Sequence, residues 1–354
     1  MKIKNLKDAL ERLKPCEMKG GRISMVNLNY STETKRLELA SENGNVCVRT
    51  YLIADINEDF NVCCDMHYLS SVVRRLCLFG EELNISASEK AVKLSCGCAN
   101  VTVPVFANSI PKKMLKASDN YTTFEANGLS QDIYRVIHAT NINSNVFGMT
   151  QIIAMAVDDT GIHVAATDGM RIALRGKKGA VDSKMDLSFP ALVLRSVAGA
   201  FEIESLMVPE NREQVVFKGD KTIAFVSTCD VSFLNIKNYI NGMRYTIDCN
   251  KWELVNSLKL ALVVSDGPVN LNFNKNEIII KRPGVDDLNI RIGCKADIEE
   301  PLGIAYNPNF FIDALTTMEG EEIQIQTSAI KNRPCLIKGS QETQLEIVLP
   351  VVIA

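Results

Sequence analysis

The sequence predicts an α+β fold of three similar domains, each made of two units in which one helix is followed by antiparallel strands. The first observation is a repeat of six short amphipathic segments, which begin near Leu6, Met66, Leu129, Pro190, Lys251 and Pro308. The intervals between them are 60, 63, 61, 61 and 57 residues. Such an even spacing is typical of a repeated supersecondary unit. The second observation is strand-like alternation between these segments. Because one such unit cannot cover its own apolar face, six units predict three domains, at residues 1–119, 120–244 and 245–354.

The helical prediction depends on where the apolar side chains fall. Apolar residues recur at i, i+3, i+4 and i+7 starting from Leu6, Leu194 and Phe311, and looser stripes begin at Met66 and Leu129. This spacing places one apolar stripe on each helix. Helix starts are predicted by three polar residues that commonly cap helices, namely Asp65, Asn250 and Asn307, the last of which precedes Pro308.

Period-two alternation between the helices predicts hairpins. Val269, Leu271 and Phe273 alternate with asparagines before the turn at 274–276, and a run of isoleucines follows. The same arrangement of a strand-like run before a turn occurs at Asn43-Gly44, Asp168-Gly169 and Gly219-Asp220.

Composition narrows the class of protein. The 354-residue chain carries a net charge of −3 and has no apolar run near the roughly 20 residues of a membrane span. No signal-peptide core follows Met1, so we expect a cytoplasmic protein. The eleven cysteines form no paired Cys-x-x-Cys sets, which favours reduced thiols. Cys96-Gly97-Cys98 is compatible with half of a metal site, but with only three histidines in the chain buried free thiols are favoured, and no metal or cofactor is expected.

Motifs for catalysis are missing from the sequence. There is no phosphate-binding loop of the Walker type, no Gly-x-Ser-x-Gly and no His-Glu-x-x-His. Asp158-Asp159 precedes a Thr-Gly turn, where a solvated loop is the more common explanation, and His138 lies just past an apolar stripe. The sequence therefore favours a binding protein over an enzyme.

One segment carries a family resemblance. Residues 165–175 read Ala-Ala-Thr-Asp-Gly-Met-Arg-Ile-Ala-Leu-Arg, which resembles the central signature of the bacterial DNA polymerase III beta subunit, the sliding clamp. Further segments follow in the family's order: Gly20-Gly21-Arg22, the stretch 304–308 leading into 311–315, and Val348-Leu349-Pro350. The resemblance covers essentially the whole chain.

The resemblance implies a head-to-tail homodimer that closes into a ring around double-stranded DNA without reading its sequence. Helices would line the hole and sheets would lie outside. Such a ring is loaded by a clamp loader and tethers the DNA polymerase III alpha subunit as a processivity factor, and it catalyses no reaction. Helix packing supports two copies, because twelve helices spaced at roughly 9 Å leave a hole of about 24 Å, whereas six leave less than about 10 Å.

The resemblance also implies a site for short linear peptides between the second and third domains. The matching positions are Thr167, Gly169, Met170, Arg171, Ile172, Leu234, Asn238, Tyr239, Asn307, Phe310, Ile347, Val348, Leu349, Pro350 and Val351. Met170 stands where the family usually has histidine, Phe310 where tyrosine is common, and Asn238 where arginine is common. We therefore expect a more apolar and less basic pocket that captures a hydrophobic motif. The alternative for individual positions such as Ile172, Tyr239 and Val348 is ordinary core packing.

Charge on the helices favours DNA binding only modestly. The six helical windows contain nine basic and six acidic residues, a sum of +3. The rest of the chain therefore carries −6, which together with +3 gives the net charge of −3. A positive lining would hold phosphates without sequence preference, whereas mixed charge on exposed helix faces is the plain alternative. Arg22 matches a DNA-contacting arginine of the family, and the other predicted contacts are Arg74, Arg75, Arg135 and Arg195. Loop candidates on charge alone are Lys112, Lys113, Lys177 and Lys178.

The dimer interface is predicted by register with the family, which joins the first domain to the third domain of the partner. Val101 and Val103 are placed against Val263 and Val264, and all four are expected on exposed edge strands that pairing would protect. The alternative is that these valines belong to ordinary core strands, which would carry the same residues.

Two other classes of protein remain possible from the sequence. One is a repeat-built scaffold that binds proteins without encircling DNA, and the other is a hydrolase with an unrecognised site.

Overall fold

The computed structural model describes residues 1–18, 22–106, 120–176, 183–264, 266–282, 284–330, 332–339 and 344–352. The chain forms two compact units. Unit 1 comprises Met1–Ser130 and Leu192–Cys229, and unit 2 comprises Gln131–Ala191 and Asp230–Ala354. The predicted division into three domains at 119/120 and 244/245 stays a prediction.

All six predicted helices are present. They are α1 (Ile3–Arg12), α2 (Met66–Leu76), α3 (Leu129–Val136), α4 (Ala191–Ala200), α6 (Lys251–Val264) and α7 (Pro308–Thr317), and a short additional helix, α5, spans Lys237–Ile240. The predicted caps are also confirmed: Asp65 accepts a hydrogen bond from the Tyr68 amide, Asn250 from the Trp252 amide and Asn307 from the Asn309 amide. No helix in the described part of the chain is long and apolar enough to cross a membrane.

Unit 1 contains one antiparallel sheet of eleven strands, in the order β5-β6-β7-β4-β1-β2-β3-β15-β14-β13-β8. The strands are β1 (Met25–Ser31), β2 (Arg36–Glu42), β3 (Val46–Ile53), β4 (Phe60–Asp65), β5 (Asn84–Ala87), β6 (Ala91–Cys96), β7 (Ala99–Phe106), β8 (Tyr121–Glu125), β13 (Ser205–Pro209), β14 (Gln214–Lys218) and β15 (Thr222–Ser227).

Unit 2 contains an antiparallel sheet of twelve strands, in the order β12-β9-β10-β11-β23-β22-β21-β16-β19-β18-β17-β20. The strands are β9 (Ile152–Asp158), β10 (Gly161–Thr167), β11 (Arg171–Arg175), β12 (Leu187–Pro190), β16 (Tyr245–Asn250), β17 (Val269–Phe273), β18 (Glu277–Arg282), β19 (Val285–Ala296), β20 (Leu302–Tyr306), β21 (Glu322–Thr327), β22 (Cys335–Lys338) and β23 (Gln344–Val348). Helices and antiparallel strands together confirm the predicted α+β class.

The repeat is visible in the order of elements. Each of the six long helices is followed by at least three strands before the next helix, and the third of these strands is β3, β7, β11, β15, β19 or β23. Third strands pair with one another: β3 with β15 in unit 1, and β11 with β23 in unit 2. We call these two pairings the strand joints.

The other two third strands, β7 and β19, have no third-strand partner within the described chain. Residues 99–104 of β7 pair with β6 on one side, and only Val105 and Phe106 reach β4 on the other. Residues 285–293 of β19 pair with β18, and only residues 294–296 reach β16. Each strand therefore has one long edge that no strand of the described chain covers, and we call these the open edges.

The predicted interface valines are placed differently from expectation. Val263 and Val264 are the last two residues of helix α6, so the prediction that they lie on an edge strand is wrong. Val263 is nonetheless 83% exposed. Val101 and Val103 do lie on β7, but Val103 is fully buried within unit 1.

Candidate peptide-binding surface

A tight turn between β10 and β11 presents the central signature. The Asp168 carboxylate accepts hydrogen bonds from the amides of Met170 (2.9 Å) and Arg171 (3.0 Å). The Thr167 hydroxyl donates to the Arg171 carbonyl (2.7 Å) and accepts from the Gly169 amide (3.1 Å). Gly169 has φ +91°, a left-handed conformation that glycine adopts without a Cβ clash. The turn therefore fixes Met170 at its tip, with 45% of the residue exposed.

Arg171 is held by several contacts at the base of this turn. Its guanidinium donates to Asp168 (2.9 Å) and Asp313 (2.7 Å), and to the His138 carbonyl (2.6 Å). The guanidinium also lies 4.5 Å from the centre of the Phe310 ring, a distance at which cation–π attraction is effective. Because two carboxylates neutralise this buried cation, Arg171 acts here as a structural residue of the surface.

The segment after β23 lies beside the same turn. Arg171 stands opposite Val348 in the ladder between β11 and β23. The ladder continues beyond the strand, since the Leu349 amide donates to the Met170 carbonyl at 2.9 Å. The Val351 amide then donates to the Ala305 carbonyl at 2.8 Å. Leu349, Pro350 and Val351 are half-buried, so they form the border of the turn.

An apolar cluster underlies this border. Its buried members include the predicted Ile172 and Ile347, and the predicted Leu234 and Tyr239 pack against it partly exposed. Its other members were not predicted from the sequence, and they are Ala165, Leu174, Met185, Phe233, Ile236, Ile240, Met243, Leu336 and Leu345. In the segment 233–243, Ile236, Tyr239, Ile240 and Met243 follow the i, i+3, i+4, i+7 spacing of a helix, and this short stripe is the signal that could have identified them. The partly exposed members give this cluster an apolar surface suited to anchoring a peptide, and they are Met185, Phe233, Leu234, Tyr239, Ile240 and Met243.

Several residues predicted to contact the peptide instead form a turn, cap a helix or pack in the core. Thr167 is buried in its turn bonds, and Asn307 caps α7 with its side chain. Val348 is fully buried in the main core of unit 2. Asn238 is exposed on α5. Of the predicted positions, Gly169 and Met170 of the turn, the border 349–351, and Leu234 and Tyr239 of the apolar cluster keep accessible surface.

A buried ionic network lies on the far side of the β11–β23 joint. Glu346 and Arg175 are both fully buried and form an ion pair at 2.6 Å. Arg175 also donates to the Thr317 hydroxyl on α7 (2.8 Å), and His138 Nε2 lies 3.3 Å from Glu346. Burial opposes ionisation of Glu346, but the neighbouring Arg175 and His138 outweigh it and lower the pKa of the carboxyl. The joint thus contains a charge pair that water does not reach.

The predicted DNA contacts differ in their availability. Arg22, Arg75 and Arg195 are exposed. Arg74 is exposed but pairs with Glu11 at 3.1 Å, and Arg135 is partly buried and pairs with Glu319. Lys112, Lys113, Lys177 and Lys178 lie outside the described residues.

The sequence is similar to those of bacterial sliding clamps. Residues 243–352 match the family model for the C-terminal domain of the DNA polymerase III beta subunit. The beta sliding clamp of Synechococcus elongatus is 22% identical over 325 residues, which cover 87% of this chain and 85% of the relative.

Solved structures extend the likeness to the whole fold. The DNA polymerase III beta subunit of Thermotoga maritima superposes with a TM-score of 0.84 at 17% identity, covering 100% of this chain and 99% of that one. The Helicobacter pylori beta clamp bound to a DNA ligase peptide gives 0.82 at 14% identity, covering 99% and 98%. The chain therefore has the fold of a DNA sliding clamp. In sequence, its C-terminal third matches the beta subunit family model, and most of its length is similar to a bacterial beta sliding clamp at 22% identity.

Proposed function

We propose that this protein is a sliding clamp, a processivity factor that encircles double-stranded DNA as a homodimer and tethers a replicative polymerase. The observation that carries the proposal is the pair of open edges. Third strands of the repeat pair in two joints within the chain, and β7 and β19 are the two that remain. A second copy supplies the missing partner for each, so two chains close into a ring with two equivalent interfaces.

Backbone hydrogen bonds support pairing at these edges. In β19 the Cys294 amide donates towards β18, to the Asn276 carbonyl at 3.0 Å. Because amides alternate in direction along a strand, those of Asn289, Arg291 and Gly293 point to the open edge. In β7 the Val105 amide donates to Lys90 on the β6 side, so the backbone groups of residues 100, 102 and 104 point to the open edge. Residue 104 is a proline and has no amide to donate, so the amides of residues 100 and 102 are the donors that β7 offers to a partner strand.

DNA is held in this proposal by enclosure and by weak phosphate contacts. Arg22, Arg75 and Arg195 are exposed cations of unit 1, and Arg75 and Arg195 lie on α2 and α4, two of the repeat helices that would line the hole. Contacts of this kind carry no sequence information and weaken as salt rises. The clamp would therefore slide on the duplex and leave it slowly.

Partner capture is assigned to the surface around Met170. The polymerase alpha subunit and the clamp loader are proposed to dock short linear motifs there, in the cytoplasm, and no bond is made or broken by the clamp. The likeness to a clamp solved with a DNA ligase peptide supports this kind of partner. Since Arg171 is neutralised by Asp168 and Asp313, we expect apolar side chains of the motif to provide most of the affinity.

Ring closure can be tested at a single open-edge amide. The Asn289→Pro variant removes a donor that faces the open edge, while Asn289→Ala keeps it. Sedimentation should show a dimer for the native protein and for Asn289→Ala, and a folded monomer for Asn289→Pro. Retention on closed circular DNA after loading, with loss on linearisation, should follow the dimer. A native protein that is monomeric, or that leaves circles as fast as linear DNA, would favour the scaffold alternative.

Peptide capture needs a separate experiment. Met170→Glu and Leu349→Glu should each abolish binding of a synthetic peptide that carries the clamp-binding motif of a polymerase alpha subunit. Met18→Glu, at a methionine of unit 1 that is 38% exposed, is the matched control and should bind normally. Equal affinity in all three variants, measured by fluorescence anisotropy, would mean that the peptide site lies elsewhere.

A further inference from the structure

We infer that Cys249 and Cys294 form a reversible cross-strand disulfide when the protein meets a small oxidant such as hydrogen peroxide. The two residues stand directly opposite each other where β16 and β19 pair. Both are free thiols in the structure. Because directly opposed residues of an antiparallel pair project from the same face of the sheet, the two thiols are neighbours. Both pack against the main apolar core of unit 2.

The ladder type at this position suits a disulfide. The amides of Cys294 and Ala296 donate to residues 276 and 275, away from β16. The Asp297 amide donates to Thr246 of the β16 side at 2.9 Å. Cys249 and Cys294 are therefore a non-hydrogen-bonded pair, for which the Cα atoms lie about 4.5 Å apart. This separation falls within the roughly 4.4–6.8 Å that disulfides span, so no strand has to move.

The surroundings assign different roles to the two sulfurs. Cys294 is half-buried and is the one that an oxidant can reach, whereas Cys249 is only 3% exposed. Burial, and then the neighbouring Cys294, raise the pKa of Cys249 to about 12. Burial, and then Glu277, raise the pKa of Cys294. Since the thiolate is the nucleophile, the reaction should be slow at neutral pH and should accelerate as pH rises.

The chemistry balances with one molecule of peroxide. The Cys294 thiolate attacks a peroxide oxygen, breaks the O–O bond and becomes a sulfenic acid, and the hydroxide released takes up the thiol proton as water. The Cys249 sulfur then attacks the Cys294 sulfur and breaks its S–O bond, so that a second water leaves. Two thiols are oxidised to one disulfide, and the peroxide is reduced to two waters.

A disulfide between Cys249 and Cys294 would restrain strand β19. Cys294 stands directly after the open-edge residues 285–293 of β19, so the cross-link fixes the base of that strand to β16. Amide hydrogen exchange across 285–296 should therefore slow on oxidation. In the ring this strand is proposed to pair with the partner subunit, a link that rests on the proposed function; the exchange measurement does not need the ring to form.

The experiment treats the full-length folded protein with hydrogen peroxide and maps disulfides by mass spectrometry. We expect a peptide pair joined through residues 249 and 294, lighter by two hydrogens, formed faster at higher pH and reversed by dithiothreitol. Cys249→Ser and Cys294→Ser should each lose this product. Cys98→Ser, at an exposed cysteine, is the matched control and should retain it.

Two results would overturn the inference. One is oxidation of Cys98 in the folded protein with no 249–294 product at any pH. The other is a 249–294 product that forms no faster in the folded protein than in guanidinium chloride, since chance pairing of an unfolded chain would then account for it. Unchanged hydrogen exchange across 285–296 after complete cross-linking would overturn the consequence for the strand.

Discussion

The two strand joints are made by equivalent strands of the repeat, yet they differ in chemistry. In unit 1 the joint of β3 with β15 carries a buried hydroxyl pair, in which Thr222 donates to Thr50 at 3.0 Å. A small apolar cluster of Cys47, Val216 and Phe225 packs beside it. In unit 2 the joint of β11 with β23 carries the buried ion pair of Arg175 and Glu346.

The second difference lies in what surrounds each joint. The β11–β23 joint is bordered by the residues after β23 and by the segment that contains α5, and both contribute to the apolar surface around Met170. These segments lie outside the helix-plus-three-strands repeat. The comparison teaches that the repeat provides the frame, while the proposed binding surface is made by segments added to one copy of a joint.

The largest expected effect is on the ionic joint. Glu346→Ala leaves Arg175 buried without its carboxylate, which should lower the free energy of unfolding by about 3–5 kcal/mol. The single tryptophan of the chain, Trp252, belongs to unit 2 and reports its unfolding in urea by fluorescence. The double variant Arg175→Met/Glu346→Leu should recover most of the loss. A Glu346→Ala cost below about 1 kcal/mol would remove the contrast between the joints.

The two joints should also differ in how their stability responds to acid. Because the pKa of Glu346 is lowered in the folded protein, its contribution is present above the ordinary glutamate pKa and is lost as pH falls through the lower folded value. The urea midpoint reported by Trp252 should therefore fall in acid for the native protein, and less steeply for Glu346→Gln. Identical pH profiles for the two proteins would show that this carboxyl does not govern the acid response.

A smaller effect is expected beside the peptide surface. Phe310→Ala removes the ring next to the Arg171 guanidinium, a contact worth about 0.5–2 kcal/mol. Peptide affinity should fall by roughly 2- to 30-fold, since the turn that carries Met170 depends on Arg171. Phe310→Tyr keeps the ring and should bind as the native protein does. Equal losses in the two variants, measured by calorimetry, would point to a role for the ring other than stacking.

The smallest effect is expected in the unit 1 joint. Thr222→Val removes the hydroxyl that donates to Thr50 and should cost about 1 ± 0.5 kcal/mol of unfolding free energy. Circular dichroism should detect this loss, and peptide affinity should stay unchanged because the residue belongs to unit 1. A cost equal to that of Glu346→Ala would mean that the two joints are energetically alike.

Much of the frame was predictable from sequence. Stripes such as that from Leu6 to Leu13, and caps such as Asp65 and Asn307, predicted helices because these signals are local: they depend on residues a few positions apart. The turn at Asp168-Gly169 was predicted for the same reason. The valines at 263 and 264 were placed on an edge strand by register with the family, whereas here they complete a helix that other residues of α6 hold in the core.

The sequence by itself determined the sixfold repeat, the α+β class, the signature turn and the resemblance to sliding clamps. Tertiary structure alone decided that Arg175 meets Glu346, that residues 233–243 join Ile172 and Ile347 in one cluster, and that Cys249 faces Cys294. These pairs are separated by 45 to 171 residues, and their meeting depends on strand register and order in a sheet. Periodicity fixes which side of an element is buried, but only packing decides what it is buried against.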